Sequence, residues 1–155
     1  MWEKNTFQKL MMKINILYEK INFLKKEKNE LIIKRVLKTC ERELKLNENL
    51  VLSILITNKE FIKNLNWKYR NINKYTNVLS FRQENNLKNI SSSELVLGDI
   101  VLCLEKIKIE SKLYVKKFEN YFAHIFLHGF LHLLGYDHSK KKDKLIMEEL
   151  EKKIL

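Results

Sequence analysis

Residues 118–138 read FENYFAHIFLHGFLHLLGYDH. Apolar positions recur at helical spacing from Phe118 through Phe122 and Ile125 to Leu134, and Gly135 ends the helix because glycine takes a left-handed C-terminal cap at little cost. All four histidines of the chain lie here, at positions 124, 128, 132 and 138. At 3.6 residues per turn, His128 and His132 sit about 40° apart around the helix and about 6 Å apart along it, so both imidazoles reach one metal ion. Past Gly135 the chain can turn back and bring in His138 as a third corner of a tetrahedron. Three neutral imidazoles with a fourth position open to water describe a catalytic rather than a structural zinc site, one zinc per chain, in which bound water falls to a pKa of ~7.

Outside this helix, strand and helix patterns alternate. Lys13–Tyr18 places Ile14, Ile16 and Tyr18 on one face, as a half-buried strand does. An amphipathic helix follows over Asn22–Leu44, with Ile33, Val36, Leu37, Cys40 and Leu44 as its apolar stripe. Leu50–Ile56 is nearly all apolar, as expected of an interior strand covered on both faces. Thr57 and Glu60 have the spacing of a capping box, opening a short helix that buries Ile62, Leu65 and Tyr69. Asn71–Thr76 is a polar loop.

Asn77–Phe81 and Leu95–Leu104 are strand candidates joined by a polar loop, and Gly98 inside the second marks a bulge or a close backbone approach. The pattern turns helical through Ile107 and Ser111 and breaks near Leu113–Lys117, before the histidine helix. A last helix turns Ile146, Met147, Leu150 and Ile154 inward. These elements predict an α/β (α+β) fold, a small mixed sheet of about four strands packed with helices, with the zinc site at the end of a central helix.

The 155 residues suit one domain, expected over residues 12–155 and able to bury roughly 70% of its unfolded surface. Met1–Met11 carries no clear pattern and reads as an N-terminal extension. Lys and Arg number 30 against 19 Asp and Glu, a formal charge of +11 that favours a polyanionic partner. No apolar run approaches the ~20 residues a membrane helix needs, so a membrane role is not expected. Cys40 and Cys103 are too few for a disulfide framework and the start lacks signal-peptide order, which together point to a reducing cytoplasm. Cys103 reads as core rather than as a zinc thiolate.

The spacing of His128, His132, Gly135 and His138 also matches the metalloprotease pattern HExxHxxGxxH, but Gly129 stands where those enzymes carry their general-base glutamate. Peptide hydrolysis therefore lacks its proton acceptor. His124 lies about 12 Å along the axis from His132, too far to share an ion, and reads as a packing or supporting residue. Asp137 either orients a ligand imidazole or caps the turn.

The segment HGFLHLLGYDH resembles the hallmark HGxLHLxGYDH of the YbeY family of rRNA maturation factors. Leu65, Asn66, Tyr69 and Arg70 fit that family's LNxxYR, Thr76–Phe81 its T[DN]VLSF, and Leu97–Ile100 its LGDI, in family order from about Lys13 to Leu155. The resemblance implies a zinc-dependent, single-strand-specific endoribonuclease that matures the 3′ end of the small-subunit (16S) ribosomal RNA and serves ribosome quality control. Its partners would be single-stranded RNA, the small ribosomal subunit and assembly factors. It also implies zinc ligation by His128, His132 and His138, and catalytic roles for Arg70 and His128.

Near the expected cleft, Lys68, Arg70, Lys74 and Arg82 are candidate phosphate contacts. Arg82 replaces the family's usual proline after LSF, Lys74 and Tyr75 stand where Lys-Pro is common, and Gln83–Glu94 is short. The residues leave open whether water or a ribose 2′-hydroxyl attacks the phosphodiester. Two other readings stand beside the nuclease: a non-catalytic ribosome-assembly factor with a structural zinc, and a hydrolase of peptides or small molecules.

Overall fold

The computed structural model describes residues 10–21, 25–46, 49–84 and 94–155. The elements run β1 (Lys13–Tyr18), α1 (Lys26–Leu44), β2 (Leu50–Thr57), α2 (Lys59–Arg70), β3 (Val78–Arg82), β4 (Leu95–Cys103), α3 (Leu104–Leu113), α4 (Phe118–Leu133) and α5 (Lys141–Ile154). The strands form one mixed sheet in the order β1-β2-β4-β3. β1, β2 and β4 are parallel, and β3 pairs antiparallel with β4. The expected mixed four-stranded architecture is thus present.

Two apolar layers hold the sheet. On one face, Leu52, Ile54, Ile56, Ile100 and Leu102 pack with residues of α1, α3, α4 and α5 around Phe122, Phe126 and Phe130 of α4. On the other face, Val101 and Cys103 join Leu79 and Ile62 of α2 in a smaller cluster. β4 therefore buries alternate residues on both sides. α4 is apolar nearly all round, as a helix at the centre of a core must be; its buried residues span Tyr121 to Leu133.

Several local expectations change. α2 is capped by Asn58, whose Oδ1 accepts from the Phe61 N–H at 2.9 Å, while the Thr57 hydroxyl donates to the Glu19 carbonyl. The capping box predicted on Thr57 loses because that hydroxyl is drawn into the β1–β2 end of the sheet. Tyr69 is 59% exposed instead of buried, its ring tilted against Phe81 at the rim. In α5, Met147 and Ile154 face the core but Ile146 is 41% exposed, and the inward stripe is completed by Glu151. α1 starts at Lys26, and Asn22–Leu24 lie outside the described residues, as do residues 1–9 and most of the 83–94 loop.

Near the N-terminus, the backbone N–H groups of Met11 and Met12 both donate to the Glu41 carboxylate of α1, at 2.9 and 2.7 Å.

Gly98 shows why a glycine interrupts β4. Val96 pairs with Val51 and Gly98 with Leu52, so Leu97 is the extra residue of a bulge. Gly98 has φ +139°, and a Cβ built there would lie 2.1 Å from the Phe81 carbonyl oxygen of β3. Gly98→Ala combines a forbidden backbone angle with a backbone clash and is expected to cost about 3 kcal/mol or more. Urea unfolding of that variant checks this: a midpoint unchanged from the parent would show that β3 does not approach β4 this closely.

Candidate metal centre

The C-terminal half of α4 brings His128, His132 and His138 together. One ring nitrogen from each lies within 4.8 Å of the others. His128 Nε2 and His132 Nε2 are 3.2 Å apart, close to the edge of about 3.3 Å for a tetrahedron whose metal–nitrogen bonds are ~2.0 Å. His138 arrives by the turn that Gly135 makes possible. Gly135 has φ +96°; its N–H donates to the His132 carbonyl, and the Tyr136 N–H donates to that of Leu131, each at 3.0 Å. This is a Schellman ending. Asp137 then caps the turn, accepting from the His138 N–H at 2.7 Å and the Ser139 hydroxyl at 2.6 Å.

His132 favours its neutral form. Burial, reinforced by the neighbouring His128 and His138 rings, holds the His132 pKa below the usual histidine value. A neutral imidazole is the ligand form. Behind His128 lies a carboxylate: Glu151 of α5 accepts from His128 Nδ1 at 2.8 Å and from His124 Nε2 at 3.0 Å. Burial alone would raise the Glu151 pKa, but these hydrogen bonds outweigh it and lower it to about 2. The donor set therefore fits a divalent ion that accepts imidazole, such as zinc, copper, iron or nickel. His124 is outside the triad.

The triad opens onto a cleft of about 710 Å³ whose wall includes Arg70, Thr76, Asn77, Val78 and Ser80. Two contacts set the spacing of that wall. The Ser80 hydroxyl of β3 donates to the Gly129 carbonyl of α4 at 2.9 Å, and Arg70 Nη2 donates to the Ser80 carbonyl at 3.4 Å. A Cβ on Gly129 would lie 2.9 Å from Val78 Cγ2 and 3.0 Å from Ser80 Oγ. The position that holds a glutamate in HExxH proteases is thus a glycine packed against the Val78 and Ser80 side chains of β3, which would have to shift to admit a Cβ.

Of the other candidate cations, Lys68, Lys74 and Arg82 lie outside the cleft lining. Lys68 Nζ rests 5.2 Å from the Tyr69 ring centroid, and the Lys74 carbonyl accepts from the Asn66 amide at 2.7 Å. The Arg82 guanidinium packs on Gly135, where a Cβ would meet its Nη1 at 3.0 Å. Glu151 and Ser80 were not singled out by the sequence pattern. The one signal for Glu151 is an acidic residue on the inward stripe of α5.

Fold and site together define a small mixed α/β protein with a three-histidine constellation at the end of its central helix that could hold a metal ion. The family model described as endoribonuclease YbeY matches residues 13–155, and the chain belongs to that family. A relative named endoribonuclease YbeY from Buchnera aphidicola subsp. Schizaphis graminum is 46% identical over 111 residues, covering 72% of this chain and 68% of the relative. One of the same name from Ruthia magnifica is 44% identical over 127 residues, covering 82% and 85%. One from Wolbachia sp. subsp. Drosophila simulans is 38% identical over 147 residues, covering 94% and 93%. The fold is similar to a solution structure from Thermotoga maritima, with a TM-score of 0.62 at 24% identity over 91% of this chain and 85% of that one.

If the three imidazoles form one site, elemental analysis will find one ion per chain, lost in His128→Ala, His132→Ala and His138→Ala and retained in His124→Ala. Retention by all three triad variants would refute the site.

Proposed function

We propose that the chain is a zinc-dependent, single-strand-specific endoribonuclease that matures the 3′ end of small-subunit (16S) ribosomal RNA and acts in ribosome quality control. The observation that carries this reading is the facing arrangement of the histidine triad and Arg70 across one cleft, in a chain of the endoribonuclease YbeY family. His128, His132 and His138 would hold one zinc. Bound there, a zinc ion supplies acidification of water and polarisation of a phosphoryl oxygen. Every other part of the chemistry belongs to the side chains.

Arg70 ends α2 and directs one N–H toward the Ser80 carbonyl at 3.4 Å, while other donors of the guanidinium remain for a phosphate. Charge that develops on phosphoryl oxygens during cleavage is stabilised there more than in the ground state. Asn77, Thr76 and Ser80 add polar groups to the same wall. The formal charge of +11 draws an RNA backbone toward the molecule, and Lys68, Lys74 and Arg82 would add phosphate contacts outside the cleft. A cleft of about 710 Å³ admits an extended strand more readily than a rigid A-form duplex. No helix among the described residues is long and apolar enough to cross a membrane, and the proposed setting is the cytoplasm, with the small ribosomal subunit or its assembly factors as partners.

Cleavage assays on single-stranded and duplex RNA test this. Metal-loaded protein should cut single strands faster; a chelator should abolish cleavage and zinc restore it. Arg70→Ala should keep fold and metal but lose about 100-fold or more in turnover, the scale of one lost transition-state donor. Turnover within twofold of the parent would remove Arg70 from the chemistry. Metal-loaded, folded protein that binds RNA yet cuts neither free strands nor small-subunit particles would instead be an assembly factor.

A further inference from the structure

Glu151 is a carboxylate placed where the α5 stripe calls for an apolar residue, and it is only 8% exposed. Its two oxygens are used separately, Oε1 by His128 Nδ1 at 2.8 Å and Oε2 by His124 Nε2 at 3.0 Å. A carboxylate only accepts, so each ring must present an N–H to it. For neutral His128 this leaves Nε2 bare, and Nε2 is the atom that stands 3.2 Å from His132 Nε2.

We propose that Glu151 is the positioning residue of the metal centre: it holds His128 in the Nδ1–H form with the Nε2 lone pair aimed into the triad, and His124, by clamping the second oxygen, keeps that carboxylate from turning away. The inference rests on reading the triad as a metal site. It gives His124 a purpose without ligation, one helical turn before His128 on α4. It also makes α5 part of the centre although no α5 residue belongs to the triad. An imidazole backed by a carboxylate is fixed in orientation and is a stronger donor. A purely structural ion pair would serve only to dock α5. That docking has other support: Met147 and Ile154 are buried in the main core, and Lys153 pairs with Glu43 at 3.0 Å.

Two substitutions and two readouts separate these roles. Glu151→Leu removes both acceptors in an apolar shape suited to the surrounding core; Glu151→Gln keeps one carbonyl for His128 Nδ1–H and loses the charge. Nitrogen-15 NMR of the histidine rings in metal-free protein, above the histidine titration range, should show the Nδ1–H form of His128 in the parent and in Glu151→Gln. In Glu151→Leu it should show a shift toward the Nε2–H form. Competition against a zinc chelator should show affinity falling about 10- to 100-fold in Glu151→Leu and less in Glu151→Gln.

Folded Glu151→Leu with parental zinc affinity overturns the proposal, as does a parent protein whose His128 carries its proton on Nε2. If Glu151→Leu does not fold, the ring spectrum of the parent and the zinc affinity of Glu151→Gln decide: affinity reduced with the Nδ1–H form in place supports the role, and parental affinity refutes it. A parent that binds no zinc at all fails the underlying metal reading instead, a result the zinc titration of the parent reports separately.

Discussion

The site depends on how closely α4 approaches β3. At Gly129 the helix backbone lies against the Val78 and Ser80 side chains, a fit that a Cβ would disturb, and the Ser80 hydroxyl donates to the Gly129 carbonyl. That contact places His128, one residue before Gly129, beside the strand whose Ser80 carbonyl holds Arg70. A larger residue at position 129 would have to displace those two side chains, and with them the hydroxyl that joins β3 to α4. The same glycine stands where HExxH proteases carry the glutamate they use as a base. Packing and chemistry meet at this residue: the glycine that lets α4 lie close to β3 also leaves the triad without that glutamate.

The rest of the fold serves that contact. β3 is an edge strand whose sheet neighbour among the described residues is β4, and the Gly98 bulge lets the Phe81 carbonyl come close to the β4 backbone. α4 is kept in place by three fully buried phenylalanines, Phe122, Phe126 and Phe130, the last two stacked on each other. The Schellman turn at Gly135 then returns the chain so that His138 meets the two helix-borne rings. From the far side, α5 supplies the Glu151 carboxylate. Four elements thus converge on one centre, and none of them contributes more than a few side chains.

Much of this was legible in the residues because it is local. The histidine spacing, the glycine stop and the helix break near Leu113–Lys117 follow from periodicity and backbone preference, and the structure has them at α3, α4 and the Gly135 turn. The parts that were not legible depend on tertiary partners. Thr57 has the spacing of a capping residue, but Glu19, 38 positions away, takes its hydroxyl, and Asn58 caps instead. Ile146 and Glu151 exchange the sides that hydropathy assigns them, because a pair of histidines on α4 rewards burial of a carboxylate. Tyr69 lies at the sheet rim, where helical periodicity cannot report how far the neighbouring strand extends.

The most direct test of the account is X-ray absorption at the zinc K edge of the metal-loaded protein. Three imidazole nitrogens and one exchangeable light atom, all at about 2.0–2.1 Å, are predicted for the centre built by His128, His132 and His138. A sulfur scatterer at about 2.3 Å, or a shell closed by four protein ligands, would contradict it.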